Sequence, residues 1–531
     1  MRSRRRPPLP PQETPVDDKL IVSHRAALKA KYGAAGVAQI RKAVRALIAA
    51  DRQRGIRSRL VFLDDARTMR QLGGAPATLA GSPAQAKAAI DAVFRAADPA
   101  YLMILGAPDV VPHQDVANPM HAPPADPDVI AWGDLPYACE AAYGREAGAF
   151  KGPTRVVGRL PDLTGATEPS HLIGLLEAAA AHATRDVAEF GDYFGLSTAT
   201  WRESTALSLF NVFGQSRAMS VSPPSREAIP AARLAPLMHF INCHGGLADP
   251  RFYGEDAAGH QPVSMSSTGI AGRIGRGTVA AAECCYGGEL YDSVTLGLPL
   301  PIGQHYLAQG ACGFFGSSTI AYGPVEGNGS ADLLTQYFLL AVLEGASIGR
   351  ATLMARQRFV QQTSELDPTD LKTLAQFSLL GDPSLHPARV TSATGVPQGL
   401  APLDAQRLQR RERRAALRST GEFLDATKPA TAQPQPRAKA SAAVRRALAH
   451  IADRAGLPAD QVFVAYAVES PAGAAAPSAR GKSTTAPTRY HLAVSTPGGA
   501  SRPSGAAPSA VAALAREVGG RIVGYRVYVQ R

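Results

Sequence analysis

Between about residues 60 and 387, short unbroken apolar runs of strand length alternate with longer stretches whose apolar residues return every three or four positions. Unbroken runs are what strands covered on both faces look like, and their alternation with amphipathic stretches is the sequence form of a layered α/β domain. Strands are expected at 60–63, 101–105, 155–157, 237–241, 278–282 and 311–315. Helices are expected at 83–95, 169–183, 201–213, 267–273, 302–309, 331–343, 348–362 and 369–377. In such sheets ligands bind beyond the carboxyl ends of the strands, so the loops that follow strands are where chemistry is sought. Ahead of this body, 19–54 reads as helix from its Ala, Lys and Arg content, and the basic, proline-rich 1–18 reads as disordered.

After LLGDPSLHP the pattern changes. Residues 388–440 carry an Arg-rich helical stretch followed by a Pro/Ala linker, and 441–531 resume as a small α+β domain. Within that domain the pattern predicts helix 442–455, strand 461–468, a disordered insert at 470–487, strand 489–495, helix 508–518 and strand 521–529. The 531 residues thus divide into a tail at 1–18, a helix with an α/β subdomain at 19–190, a second α/β subdomain at 191–387, the linker and the small domain.

The net charge of +12 suggests an anionic partner until it is located. Residues 388–531 hold 21 basic and 8 acidic side chains, which leaves 1–387 at −1. The charge therefore describes 388–531, which could bind nucleic acid or a partner protein, and says nothing of the body. No aromatic residues for stacking bases interleave the arginines of 403–418. The five cysteines are no disulfide framework, the N-terminus lacks an apolar secretory core, and no run approaches the ~20 residues that span a membrane. A soluble, cytoplasmic protein without membrane contact is expected.

Two strand ends carry the chemistry. LMHFINCHGG runs a buried strand into His244, Gly245 and Gly246, and GTVAAAECCYGGELYD runs another into Cys284, Cys285, Tyr286, Gly287 and Gly288. Neighbouring parallel strands would bring that His and that Cys to one sheet edge. An imidazole there can take the thiol proton, and the sulfur can attack a carbonyl carbon. The backbone N–H groups of Gly245 and Cys285 are placed to receive the oxyanion. A zinc site from Cys243, His244, Cys284 and Cys285 is disfavoured, because adjacent strand residues face opposite ways and the usual ligand spacing is missing. No metal and no cofactor are expected.

This pair of motifs resembles the gingipain-like family of caspase-fold (clan CD) cysteine peptidases. YLMILGAPDVVP, GDLPYA, RVVGRLP, the His and Cys motifs, FFGSSTIAYG and LLGDPSL follow the family's order over roughly 60–387. The resemblance implies a three-layer α/β/α sandwich with a mostly parallel sheet, and hydrolysis of protein or peptide substrates through a thioester. It places the base at His244 and the nucleophile at Cys285, with Cys284 as the alternative. The family takes its imidazole-orienting and specificity carboxylates from a segment ahead of the His, where this chain offers Glu203. That residue could equally be an exposed helix N-terminal acid; in the pocket it would favour Arg or Lys before the scissile bond. Tyr322 stands where the family has an aromatic pocket wall, and local packing is the alternative. Asp134 and Asp382 read as turn residues, Asp109 and Asp126 lack calcium-loop spacing, and Glu283 reads as a buried acid in need of a partner. Against the endopeptidase stand a thiol acyltransferase on the same residues and a non-catalytic scaffold whose basic 388–531 binds a partner or nucleic acid.

Overall fold

A computed structural model describes residues 17–225, 227, 229–324, 326–363, 365–390, 399, 401–427, 430–435, 440–458, 460–469, 488–496 and 509–531. The basic N-terminus up to residue 16 and the insert at 470–487 lie outside them.

The apolar runs assemble into one ten-stranded sheet in the order Ser58–Phe62, Lys19–Ser23, Tyr101–Leu105, Val157–Leu160, Phe377–Leu380, Gly313–Ser317, Val279–Ala282, Met238–Asn242, Tyr193–Thr198, Met219–Ser222. Neighbours are parallel throughout, except where Phe377–Leu380 runs antiparallel to Gly313–Ser317. The sheet is therefore two parallel halves of opposite direction, joined at Phe377–Leu380. The strands of both expected α/β subdomains are shared in it. On one face Tyr306, from the helix Ile302–Ala308, packs against Phe314 at 5.3 Å between ring centres. On the other face Phe338, from Ser330–Leu343, stacks on Phe315 at 4.8 Å. Adjacent strand residues point to opposite faces, so helices cover both sides and the fold is the expected layered, mostly parallel α/β type.

The expectation of helix from residue 19 is corrected at its start. Lys19–Ser23 is an interior strand, paired on both sides, and the helix begins at Arg25 with the His24 side chain accepting from the Ala27 N–H. Leu20, Ile21 and Val22 are fully buried, as a β-branched run suits. Lys19 is also buried, and Asp51 at 2.9 Å and Asp382 on the far side of the sequence compensate its charge. The expected turn residue Asp382 is thus an ion-pair partner inside the core.

The region after 430 forms a sheet whose edges are supplied by the α/β body and whose neighbours are antiparallel except at the Glu365–Leu366 edge, which pairs parallel. Its order is Tyr322–Pro324, Arg521–Gln530, Val511–Val518, Thr488–Ser495, Val464–Glu469, Ala430–Pro434, Glu365–Leu366. The helix expected at 508–518 is instead the strand Val511–Val518, paired along its length on both sides. Alanine-rich sequence favours helix only weakly, and pairing overrides it. The small side chains of Ala513 and Ala515 admit Val444, Leu448 and Ile451 of the helix Ala442–Arg454 onto that face. The Arg-rich stretch is the helix Pro402–Thr427, and its charges dock it on the body: Arg410 donates to the Gly55 carbonyl, Arg414 pairs with Asp98, and Arg418 pairs with Glu140 at 3.2 Å.

Candidate active site

Met238–Asn242 and Val279–Ala282 are parallel neighbours in register, Ile241 opposite Ala282, so the residues after them emerge together. The two loops touch: a Cβ on Gly245 would overlap the Cys285 carbonyl oxygen, which makes a side chain there intolerable. Glu289, four residues beyond Cys285, accepts the Ala248 N–H at 2.8 Å and ties the loops together. Burial pushes its carboxyl up to about 7.

The His244 ring lies against Trp201, 4.4 Å between ring centres, and its Nε2 is 3.0 Å from Glu255 Oε2. Glu255 follows the strand Arg251–Tyr253, which pairs antiparallel with His244–Gly245 and brings the chain back over the imidazole. The imidazole's carboxylate is therefore Glu255. Glu203 sits exposed in the first turn of the helix Arg202–Phe213, away from that role. No motif marks Glu255 in the sequence; the available signal was a short alternating strand immediately after His–Gly.

The Cys285 thiol is fully buried, and burial pushes it up to about 12. Its sulfur accepts the Ala321 N–H at 3.2 Å and lies 3.5 Å from the Ala321 carbonyl, so its hydrogen bonds run to Ala321 rather than to His244. The Cys285 N–H, an expected oxyanion donor, donates to the Arg531 carbonyl oxygen at 2.9 Å. The next residue, Tyr286, has φ = 54°, a left-handed conformation that costs a non-glycine residue about 1–3 kcal/mol. It is held there by the bond from its N–H to Thr319 O at 3.0 Å and by its hydroxyl on Asp128 at 2.9 Å. Cys284 and Cys243 are likewise fully buried: Cys284 Sγ lies 4.0 Å from the Ile241 carbonyl, and Cys243 accepts the Ser264 hydroxyl at 3.5 Å.

Beside the thiol is a pocket that sequence reasoning did not assemble. Glu283, from the Cys strand, and Asp332, from the helix Ser330–Leu343, both have fully buried side chains that meet the Arg531 guanidinium at 3.3 and 3.0 Å. The guanidinium also lies over Trp201, 4.9 Å from the ring centre, and passes so close to Gly323 that a Cβ there would overlap it. Asp332 is further held by the Ser204 hydroxyl at 3.0 Å, and Glu283 by the Thr335 hydroxyl at 3.0 Å. Burial, reinforced by Asp332 and opposed by Arg531, raises the Glu283 carboxyl above its usual range. Tyr322 is adjacent but faces elsewhere: its hydroxyl bonds Asp126 at 3.1 Å and Lys372 lies over its ring.

The remaining carboxylates are structural. Asp134 takes two bonds from Arg159, Asp109 and Asp126 are paired with Lys31 and Lys372, and no group of three metal-ligating side chains occurs among the described residues. Among them, too, no helix is long and apolar enough to cross a membrane.

Residues 254–388, a quarter of the chain, match the family model of peptidase family C25, the gingipain family, which takes in the Cys motif, FFGSSTIAYG and LLGDPSL but not the earlier motifs. The match includes Cys285, Glu255 and Asp332 and begins after His244. It marks the protein as a cysteine peptidase, hence a hydrolase acting on protein or peptide. A solved structure described as "Structure of Protease" aligns over 98% of each chain at 12% identity with a TM-score of 0.44. No curated protein matches the chain.

Proposed function

We propose that the protein is a cysteine endopeptidase that cleaves after arginine, with Cys285 as nucleophile, His244 as proton carrier and Glu255 as its positioning residue. The observation that carries this reading is the pose of an arginine in the cleft. Its carbonyl oxygen is on the Cys285 N–H, and its side chain is between two buried carboxylates. A substrate arginine so held presents its carbonyl carbon to the sulfur. Thiolate attack forms the C–S bond, and the carbonyl electron pair moves onto the oxygen. Collapse of the tetrahedral intermediate expels the amine, which takes its proton from the imidazolium. Water then hydrolyses the thioester, His244 removing its proton. The Gly245 N–H is the second expected oxyanion donor.

The electrostatics of the pocket support a cationic side chain. Two carboxylates buried side by side repel each other and lack water, so an unpaired cation is needed to stabilise both. Guanidinium suits better than ammonium, because it forks between two acids and stacks on an indole. Arg410, Arg414 and Arg418 are engaged in contacts to the body, so these charges hold the helix in place.

An arginyl chloromethyl ketone, with lysyl and aspartyl analogues as controls, tests the reading. Mass mapping should place the arginyl label on Cys285. Label on Cys284, or activity that survives Cys285→Ala or His244→Ala, would refute it.

A further inference from the structure

The occupant of the cleft is the chain itself. Resting on the peptidase reading above, we propose that residues 528–531 are a built-in competitive ligand of the active site, which holds the enzyme latent until the tail strand is displaced.

The tail enters as a substrate strand would. Tyr528, Val529 and Gln530 pair antiparallel with Pro324, Gly323 and Tyr322, and the Arg531 N–H reaches the Ala321 carbonyl at 3.0 Å. The Tyr528 hydroxyl is 3.1 Å from Asp367 Oδ2, which anchors the strand three residues before the arginine. This is recognition by strand addition, in which main-chain bonds give affinity and alternate side chains read pockets. A peptide substrate needs the same edge, the same Cys285 N–H and the same carboxylates, so tail and substrate exclude one another. The Arg531 carbonyl occupies the Cys285 N–H, a donor that a substrate carbonyl would need, and the thiol beside it is fully buried.

Two features separate a ligand from a structural strut. The other edge of the tail strand is bonded to Val511–Val518, so the small domain delivers the tail to the cleft intramolecularly, at the millimolar effective concentration typical of tethered ligands. The arginine is nevertheless poorly satisfied. Its Nε has no hydrogen bond, and its Nη1 meets Glu283 Oε2 only as an ion pair at 3.3 Å, without hydrogen-bond geometry. A contact held by tethering and short of its full bonds is one that a better-fitted peptide can replace.

The test uses Arg531→Ala in the full chain, with Tyr528→Phe as a milder variant that keeps the strand. Alkylation of Cys285 by iodoacetamide, followed by mass spectrometry, reads cleft occupancy without requiring catalysis; hydrolysis of an arginyl peptide amide reads function. Both rates should rise by about tenfold or more in Arg531→Ala and by less in Tyr528→Phe. The free peptide Tyr-Val-Gln-Arg should slow the Arg531→Ala variant competitively while barely affecting the parent. Equal alkylation rates in parent and Arg531→Ala, with unfolding transitions unchanged, would overturn the latency proposal even if peptides are cut. Faster alkylation with no hydrolysis of any arginyl substrate would instead retain the tail as occupant and overturn the peptidase reading, and with it the description of the tail as an inhibitor.

Discussion

Among the described residues two arginines are completely buried against carboxylates, and they are built differently. Arg159, at the end of a strand in the first half of the sheet, bonds through every donor: Nε and Nη2 to Asp134, Nη1 to the Gly106 and Val111 carbonyls, and Nη2 also to Pro112. Arg531 meets two carboxylates, yet its Nε has no hydrogen bond and its Nη1 reaches Glu283 only as an ion pair. The carboxyls register the difference. Burial alone would raise both, but Arg159 and His113 overcome it and hold Asp134 far below the usual carboxylate range, whereas Glu283 stays above it. A fully bonded guanidinium is part of the fold. A partly bonded one, facing an acid whose carboxyl is raised by burial, marks a place where a side chain is received.

The contrast can be broken most sharply by unfolding. Arg159→Met should cost about 3–5 kcal/mol in urea denaturation, because Asp134 is left buried without its guanidinium and with only His113 beside it. Arg531→Ala should cost far less, and equal losses would erase the distinction. Next in size, Asp332→Asn introduced into Arg531→Ala should lower kcat/KM for an arginyl amide by about a hundredfold, some 2.7 kcal/mol, with a smaller loss for a citrullyl substrate. Gly323→Ala in that background should raise KM about tenfold while changing kcat little, since its methyl group fills the path of the guanidinium rather than the path of the sulfur.

The smallest effect is in pH dependence, and the two acids have opposite signs. Asp134, depressed in the fold, contributes stability that is present above the unfolded pKa of about 3.9 and lost as pH falls. Glu283, raised in the fold, holds its proton more tightly than the unfolded chain does. Its stabilisation is full below about 4.3 and is lost as pH rises through the higher folded value. Asp134→Asn should flatten the acid limb of a stability profile, and Glu283→Gln should flatten the decline above it; a shared sign would contradict the contrast.

The strand ends bearing His244 and Cys285 were legible because fully buried strands show as apolar runs, and glycines punctuate the loops that follow. The helices were legible where amphipathic spacing persisted. Other parts were not: the strands Tyr193–Thr198, Met219–Ser222 and Phe377–Leu380 were not expected, and 267–273 is turn rather than helix. Lys19–Ser23 was masked by the long helix that follows it and by a lysine whose burial depends on Asp382, 363 positions away. Val511–Val518 was masked by alanines, whose reason for being there is a helix packed on them. The pocket was invisible because its walls come from 201, 283, 323 and 332, and each residue is unremarkable in its own segment. Glu203, chosen for its position before the His, lies two residues along from the indole that matters, Trp201. Periodicity reports an element's own burial, whereas a pocket is a property of several elements meeting.

The strand Phe377–Leu380 joins two half-sheets that the ribosome makes far apart in time. The strands up to Leu160 have their final neighbour only when residues 377–380 emerge, and the Lys19–Asp382 ion pair closes with it. Until then Val157–Leu160 presents an unpaired apolar edge, and Lys19 has only Asp51. Pairings of such long sequence separation are slow to form and exposed to aggregation while they wait. The nascent chain must therefore be sheltered through more than two hundred residues of synthesis, and a fragment ending before residue 377 should emerge from any expression host as inclusion bodies rather than as a half-enzyme.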